Sequence, residues 1–427
     1  MSIPVSRRQL LSAAVLTTAA LPVLSGCSDA AATEGAHLRF AWWGSSTRHE
    51  MTQQVIAAFT TEHPDITVEG LPGDFSGYFD RLATQTAAGD APDIITLGGA
   101  YVAEYAQRGA LLDLTTVTEQ FDPSSWMDET ALANGRVGEA LYAATTGVNA
   151  LSAIVNPVVF EDAGVEIPDD SWGWDDFARI AREITTATED GVYGSAGVLS
   201  HDTIDCWARQ RGESLYTAEG TLGLTRDTLT GLFELSRQMI DDQGAPPPSL
   251  ITELDGVPNE QTLMGTNRAG MHLGWSSALA ALADAAGSDL ILLPLPGEQP
   301  TPGLWLQSSQ YYSINADSAH PREAALLIDF MLNSPEAGQI VKTDRGVPAN
   351  PAIREAIGDD LPRGVKVEVD YIAQLGEQTL QPLVIGPAGS TAVADITTRV
   401  LTEVAFGRIT PQEAAEQWFT EAEQAIR

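Results

Sequence analysis

Hydrophobic periodicity switches along residues 38–108 between a repeat of two and a repeat near 3.6, and this switching confines the chain to an α/β architecture. Leu38, Phe40 and Trp42 alternate with Arg39, Ala41 and Trp43, which predicts a strand. Met51, Val55, Ile56 and Phe59 recur at helical spacing, and Pro64 stops that helix. Ile66–Val68 reads as a short strand, Tyr78–Ala88 as a helix closed by Gly89, Asp93–Leu97 as a buried strand, and Tyr101–Arg108 as a helix stopped by Gly109. The pattern resumes after Val148–Val155. Asp175 caps a helix there, strands follow at 191–198, 269–273 and 290–293, and helices lie near 203–211, 226–241 and 276–286. Two α/β lobes of mostly parallel sheet with flanking helices account for 427 residues.

The first residues are an address rather than structure. Ser6-Arg7-Arg8-Gln9-Leu10-Leu11 sets paired arginines before an uncharged run, Leu10–Leu24, which is shorter than the roughly twenty residues a membrane span needs. The run ends in Leu24-Ser25-Gly26-Cys27, which resembles the lipobox of bacterial lipoproteins, and the arginines resemble a twin-arginine export signal. Residues 1–27 are thus expected to be a signal peptide, with acyl chains on Cys27 and 28–36 as a flexible polar tether. The expected location is the extracellular face of the cell membrane. With Cys27 acylated, Cys206 is expected to act as a small buried hydrophobe.

Charge and motifs exclude several functions. With Lys+Arg 23 against Asp+Glu 58, the net charge is −35, which argues against nucleic acid and anionic lipid surfaces. No GxGxxG, Walker lysine, HExxH, EF-hand or CxxC pattern occurs, so neither a cofactor nor a metal is expected. A secreted hydrolase acting on a glycoside or ester is the rival reading. Gly274-Trp275-Ser276-Ser277-Ala278 is one residue from a G-x-S-x-G elbow, and His320 is the only later histidine. His320 precedes Pro321 at a helix start, which disfavours a triad.

Four segments carry a family resemblance. Ala91-Pro92-Asp93-Ile94 followed by Gly109-Ala110-Leu111-Leu112-Asp113-Leu114 is similar to the APD(I/V)…GxLxDL segment of family-1 extracellular solute-binding proteins. Asn156–Val165 with Pro168 and Trp172–Phe177 resembles that family's YNxxxFxxAGxxxP…WTWDE segment. Asn267–Met271 with Gly274-Trp275, and Pro321–Ala325 with Phe330-Met331 and Ser334-Pro335-Glu336, resemble two later elements. Val155, Gly173 and Asn267-Arg268 depart from the usual residues. The resemblance implies a two-lobed periplasmic-binding-protein fold (type II-like) that closes by hinge motion on a carbohydrate and delivers it to ABC-transporter permease subunits. A monomer that is not an enzyme is expected. Crossings near 147–148, 309–311 and 360 would divide the chain into lobe 1 (37–147 plus 310–360) and lobe 2 (148–309 plus 361–427).

Sugar recognition needs aromatic faces for C–H surfaces and polar groups for hydroxyls, at the carboxyl ends of strands. Trp42 and Trp43 end the first strand, and two adjacent tryptophans cannot both face one side of it, so one is expected to project into solvent or a cleft. Arg48 follows them. Tyr78 and Tyr101 begin helices, and Asp202 and Trp207 follow a strand end. Trp275, which the resemblance aligns with a sugar-stacking aromatic, and Trp305, in a loop near a crossing, complete the candidates. Asp93 is expected to satisfy backbone amides. Trp126, Trp172, Trp174 and Trp418 are expected to pack.

Overall fold

The structure is a computed structural model that describes residues 35–99, 101–127, 129–297, 303–358, 361–378, 380, 384 and 386–427. Residues 1–34, which include the expected signal peptide, Cys27 and most of the expected tether, lie outside the described residues. Ala36, assigned to the tether from sequence, already opens the first strand.

The chain alternates as its periodicity dictates. β1 (Ala36–Trp43) leads to α1 (Ser46–Glu62), whose start is closed by the Ser45 hydroxyl accepting from the Arg48 N–H. β2 (Ile66–Gly73), α2 (Phe75–Ala87), β3 (Ile94–Leu97) and α3 (Tyr101–Gln107) follow. After α4 (Glu129–Ala133) and the hairpin β4 (Arg136–Val137)–β5 (Ala140–Leu141) come β6 (Ala144–Asn149) and β7 (Leu151–Val155), broken only at Ala150. α5 (Pro157–Ala163) starts on the Asn156 side chain, which accepts from the Val158 N–H, and ends at Gly164, whose φ of 65° suits glycine. α6 (Trp174–Ala187) is capped at Gly173 rather than Asp175, because Asp176 accepts from the Gly173 N–H at 3.1 Å.

β8 (Tyr193–Ser195), α7 (Thr203–Arg209), α8 (Arg226–Asp241) and α9 (Pro248–Glu253) continue the chain. β9 (Ala269–Trp275), α10 (Leu279–Ala286), β10 (Ile291–Leu293) and β11 (Gln307–Ile314) follow. Then come α11 (Pro321–Asn333), α12 (Pro335–Val341), β12 (Val347–Pro348) and α13 (Pro351–Ile357). α14 (Arg363–Gly376), α15 (Ser390–Ala405) and α16 (Pro411–Ala425) close it.

Two sheets organise these elements within one compact unit, Ala36–Arg427. The first has the order β12-β6-β11-β3-β1-β2 and the second β10-β7-β9-β8. Strand directions are largely shared, yet neighbouring pairs are mixed, which corrects the mostly parallel pairing expected from sequence. β1 pairs parallel with β2 and β3, whereas β11 lies antiparallel between β3 and β6. In the second sheet β7 lies antiparallel between β10 and β9, while β8 and β9 are parallel. Three strands run against the rest, β7, β11 and β12, and of these β7 and β11 carry the chain out of a crossing into the next sheet. Entering from the end where the others finish, they must run the opposite way.

Helices cover both faces of the first sheet. Leu38, Phe40 and Trp42 pack with Val55, Phe59 and Ile328 on one face. Ala41, Trp43, Ile95 and Leu97 pack with Tyr78, Leu82 and Val102 on the other. That is why both tryptophans of β1 are buried: a sheet covered twice has no solvent face for the second ring. In the second sheet Ala153, Val155 and Met271 join Phe177, Phe233 and Trp418. Asp93 accepts from the Arg39 N–H at 2.9 Å and from the Ser318 hydroxyl at 2.6 Å, the structural role expected of it.

Candidate functional site

The topology brings the strand ends together. β6 shares its direction with β1, β2 and β3, so Trp43, Gly73, Leu97 and Asn149 mark one end of the first sheet. Two residues past Asn149, Leu151 pairs with Trp275, the last residue of β9. The carboxyl ends of both sheets therefore meet around Ala150, the place where open α/β sheets present binding groups.

On the first-sheet side the exposed rings belong to the start of α2 and α3. Trp43, only 8% exposed, packs against Phe75, Tyr78 and Phe79 with ring centroids 5.7, 5.1 and 5.3 Å away. Phe75 is 62% exposed, the most open large apolar side chain among the described residues. Phe79 and Tyr101 stack in parallel at 3.8 Å, leaving Tyr101 half-buried. Burial, helped by Glu104 and Asp80, pushes the Tyr101 hydroxyl above its ordinary range, so it stays a neutral donor.

On the second-sheet side Trp275 is half-buried, and Trp305 stands edge-on to it at 6.3 Å and 78°. The Arg209 guanidinium lies 4.8 Å over Trp305, and its Nε donates to Asp205 Oδ2 at 2.7 Å. Asp205 Oδ1 also accepts from the Leu215 N–H, so Arg209 brings its own counter-charge. The Trp305 indole N–H donates to Gln307 Oε1 at 3.2 Å. The amide of Asn149 donates to the Ser277 hydroxyl at 3.4 Å. Its Oδ1 is buried with no hydrogen-bond partner among the described residues.

The passage through Ala150 is held tightly. Ser276 Oγ accepts from the Ala150 N–H at 3.2 Å, and the Ser276 N–H donates to the Ala150 carbonyl at 2.8 Å. The Ser276 hydroxyl in turn donates to Glu368 Oε1 at 3.2 Å. The Tyr371 hydroxyl, one turn along α14, donates to the Leu151 carbonyl at 2.7 Å. Burial raises Glu368 to about 7, against the opposing pull of the Ser276 hydrogen bond. Ser276 is fully buried in this clamp, and none of its hydrogen bonds is to a histidine. A nucleophile elbow would expose it instead.

Several sequence candidates, Trp42, Trp43, Tyr78, Trp207 and Arg48 among them, are committed elsewhere in the fold. Trp42 is 0% exposed and donates its indole N–H to His49 Nδ1 at 3.1 Å. Tyr78 is buried between β1 and β3, its hydroxyl donating to the Thr96 carbonyl at 2.9 Å. Trp207 is buried, donating to the Thr228 carbonyl at 2.7 Å, because the start of α7 is packed under α8 rather than facing the strand ends. Arg48 reaches from α1 to Asp344, with Nε–Oδ2 and Nη2–O both at 2.6 Å. Asp202 lies beside His201 at 3.2 Å, just before α7. Trp305 is at the boundary but only 4% exposed, covered by Arg209 and Trp275. Sequence reasoning missed Phe75, Asn149, Arg209 and Gln307. Phe75, directly after the Asp74 cap of α2 and the end of β2, carried the one usable signal.

Among the described residues no group of His, Cys, Asp and Glu is placed to hold a metal ion. None of the described helices is long and apolar enough to cross a membrane.

Comparison with known proteins agrees with this architecture. The profile of the bacterial extracellular solute-binding proteins matches residues 44–338. An uncharacterized lipoprotein of Streptomyces antibioticus is 27% identical over 337 residues, spanning 73% of this chain and 70% of its own. A family 1 extracellular solute-binding protein from Alicyclobacillus acidocaldarius superposes with a TM-score of 0.76 at 26% identity, covering 92% of this chain and 98% of that one. A periplasmic oligogalacturonide-binding protein from Yersinia enterocolitica shares the fold, with a TM-score of 0.76 at 22% identity over 92% of this chain and all of its own. The chain belongs to the bacterial extracellular solute-binding proteins, and its two α/β lobes are their fold.

Proposed function

We propose that this protein captures a carbohydrate, of one or more rings, between its two lobes and hands it to the permease subunits of an ABC importer. The supporting observation is the Trp275–Trp305 pair, set at the junction of both sheets beside an Arg209–Asp205 pair that is already neutralised. Trp275 offers one apolar platform, backed edge-on by the buried Trp305 and with no unbalanced charge in the Arg209–Asp205 pair beside it, which suits an uncharged sugar. The exposed Phe75 and half-buried Tyr101 of the first lobe are the further candidate rings, and Asn149 Oδ1 is the candidate acceptor for a sugar hydroxyl. The Yersinia neighbour is a saccharide binder of the same fold. The net charge of −35 favours neutral sugars over uronic acids here. The protein holds its ligand without transforming it, as its family of binding proteins does.

A thermal-shift screen of the purified protein against neutral and acidic saccharides tests this reading. A ligand present at about 100 Kd adds roughly 2.7 kcal/mol to stability. If no saccharide raises the melting temperature, the assignment of a carbohydrate falls. We also place the protein on the outer membrane face through acyl chains at Cys27, supported by the Leu24–Cys27 motif and the lipoprotein relative. Cys27→Ala is expected to release the protein into the soluble fraction with its sugar affinity intact; continued retention would exclude the anchor.

A further inference from the structure

A cavity of about 30 Å³ lies inside the first lobe, away from the lobe junction, between α1, α11, α12 and the turn that precedes β12. Arg345 lines it while being only 4% exposed. Its Nη2 donates to Thr52 Oγ1 at 2.5 Å, but Nη1 is buried with no acceptor among the described residues. The guanidinium is 5.4 Å from the centre of the Tyr312 ring, which covers one side of it. Lys342 also lines the cavity, and so does Thr146, whose hydroxyl bonds the Gln310 and Arg345 carbonyls.

No carboxylate lines this space. The nearest acid in sequence, Asp344, is committed to Arg48 at 2.6 Å. Two cations, Lys342 and Arg345, thus line the cavity without a carboxylate among its lining residues, in a chain that is strongly acidic overall. A buried guanidinium N–H without an acceptor is costly, and a buried charge without a partner more so. Lys342 adds a second sign of constraint. Its φ of 49° and ψ of −114° fall where a side-chain-bearing residue is strained, and such strain persists only when the surroundings fix it.

We propose that this cavity is a site for a monatomic anion, chloride in solution, held by Arg345 Nη1 and Lys342. The space admits one or two water-sized groups, which fits a halide and excludes phosphate, carboxylic acids and sugars. The anion supplies the acceptor that Nη1 lacks and offsets the local positive charge. It also fixes the turn through which Arg345 receives hydrogen bonds at its carbonyl from Thr146 and Ser309. This site is independent of the carbohydrate reading.

The test is thermal unfolding in sodium chloride against sodium gluconate at constant ionic strength, paired with crystals grown in sodium bromide. Chloride is expected to raise the melting temperature saturably, by roughly 3 °C at ten times its dissociation constant, and gluconate to do nothing. K342Q should shift the chloride midpoint upward about fivefold, the worth of one charge-assisted contact, and R345Q should abolish the response. Bromide should give an anomalous peak in contact with Arg345 Nη1. Equal responses to chloride and gluconate, or a cavity that holds water and no bromide peak, would overturn the site. If R345Q fails to fold, K342Q and the anomalous map still decide it.

Discussion

Two tryptophans at strand ends, Trp42 as the penultimate residue of β1 and Trp275 as the last of β9, meet opposite fates. β1 lies inside a sheet with helices on both faces, so Trp42 is sealed among Phe40, His49 and Tyr312. β9 ends at the junction of the lobes, where the chain passes through Ala150 and no helix covers the last residue, so Trp275 keeps an open face. The residue type and its position in the strand are alike. Coverage of the sheet decides which ring becomes core and which becomes a platform.

Truncating each ring separates the two roles. Trp42→Ala should cost about 3–5 kcal/mol of folding stability, read by denaturant unfolding, while ligand affinity of the folded fraction stays unchanged. A nearly normal melt with weakened binding would break the comparison from the Trp42 side. Trp275→Ala should do the reverse, weakening sugar binding by roughly 1–3 kcal/mol with little change in the ligand-free melting temperature. A Trp275→Ala protein that is badly destabilised but binds normally would make Trp275 a core residue too.

The smaller effect sharpens the picture around Trp275, because its neighbour Ser276 leans on Glu368. Glu368 is raised from 4.5 to about 7 by burial, so between those pH values the native state keeps a proton that the unfolded chain has lost. Stability therefore falls as pH rises from about 4.5 to about 7 through this group, and levels off above. Glu368→Gln should remove that fall, gaining on the order of 1–2 kcal/mol over the parent at pH 8 and nothing at pH 4. The difference between the two proteins isolates Glu368, since His272, which burial holds below its usual pKa, is common to both. Parallel pH profiles would mean that the carboxyl is not protonated in the folded protein.

The alternation of elements was legible because period two and period 3.6 are properties of neighbouring residues. Helix and strand positions from β1 to α3 followed from it directly. Burial of Cys206, with its thiol pushed up to about 12, and of Trp172, Trp174 and Trp418 was legible from motif and helix context. The site was only partly so. Trp275 was singled out because it ends a strand, whereas Arg209, the last residue of α7, meets Trp305 across 96 residues of sequence, which no local pattern encodes. The three reversed strands were equally hidden, since periodicity carries no direction. Trp42, Tyr78 and Trp207 misled for one reason. An aromatic beside a strand end looks the same in sequence whether or not a helix will lie over it.

The clamp on Ala150 has a mechanical consequence. Ser276 holds both the amide and the carbonyl of that residue, and Tyr371 holds the carbonyl of the next one. Its torsions are therefore the stiffest of any linking the two sheets. The link between Leu293 and Gln307 and the one between Ile357 and Arg363 are longer. A door with one tight pin swings about that pin. Any closure of the two sheets on a ligand would take its axis from this pin.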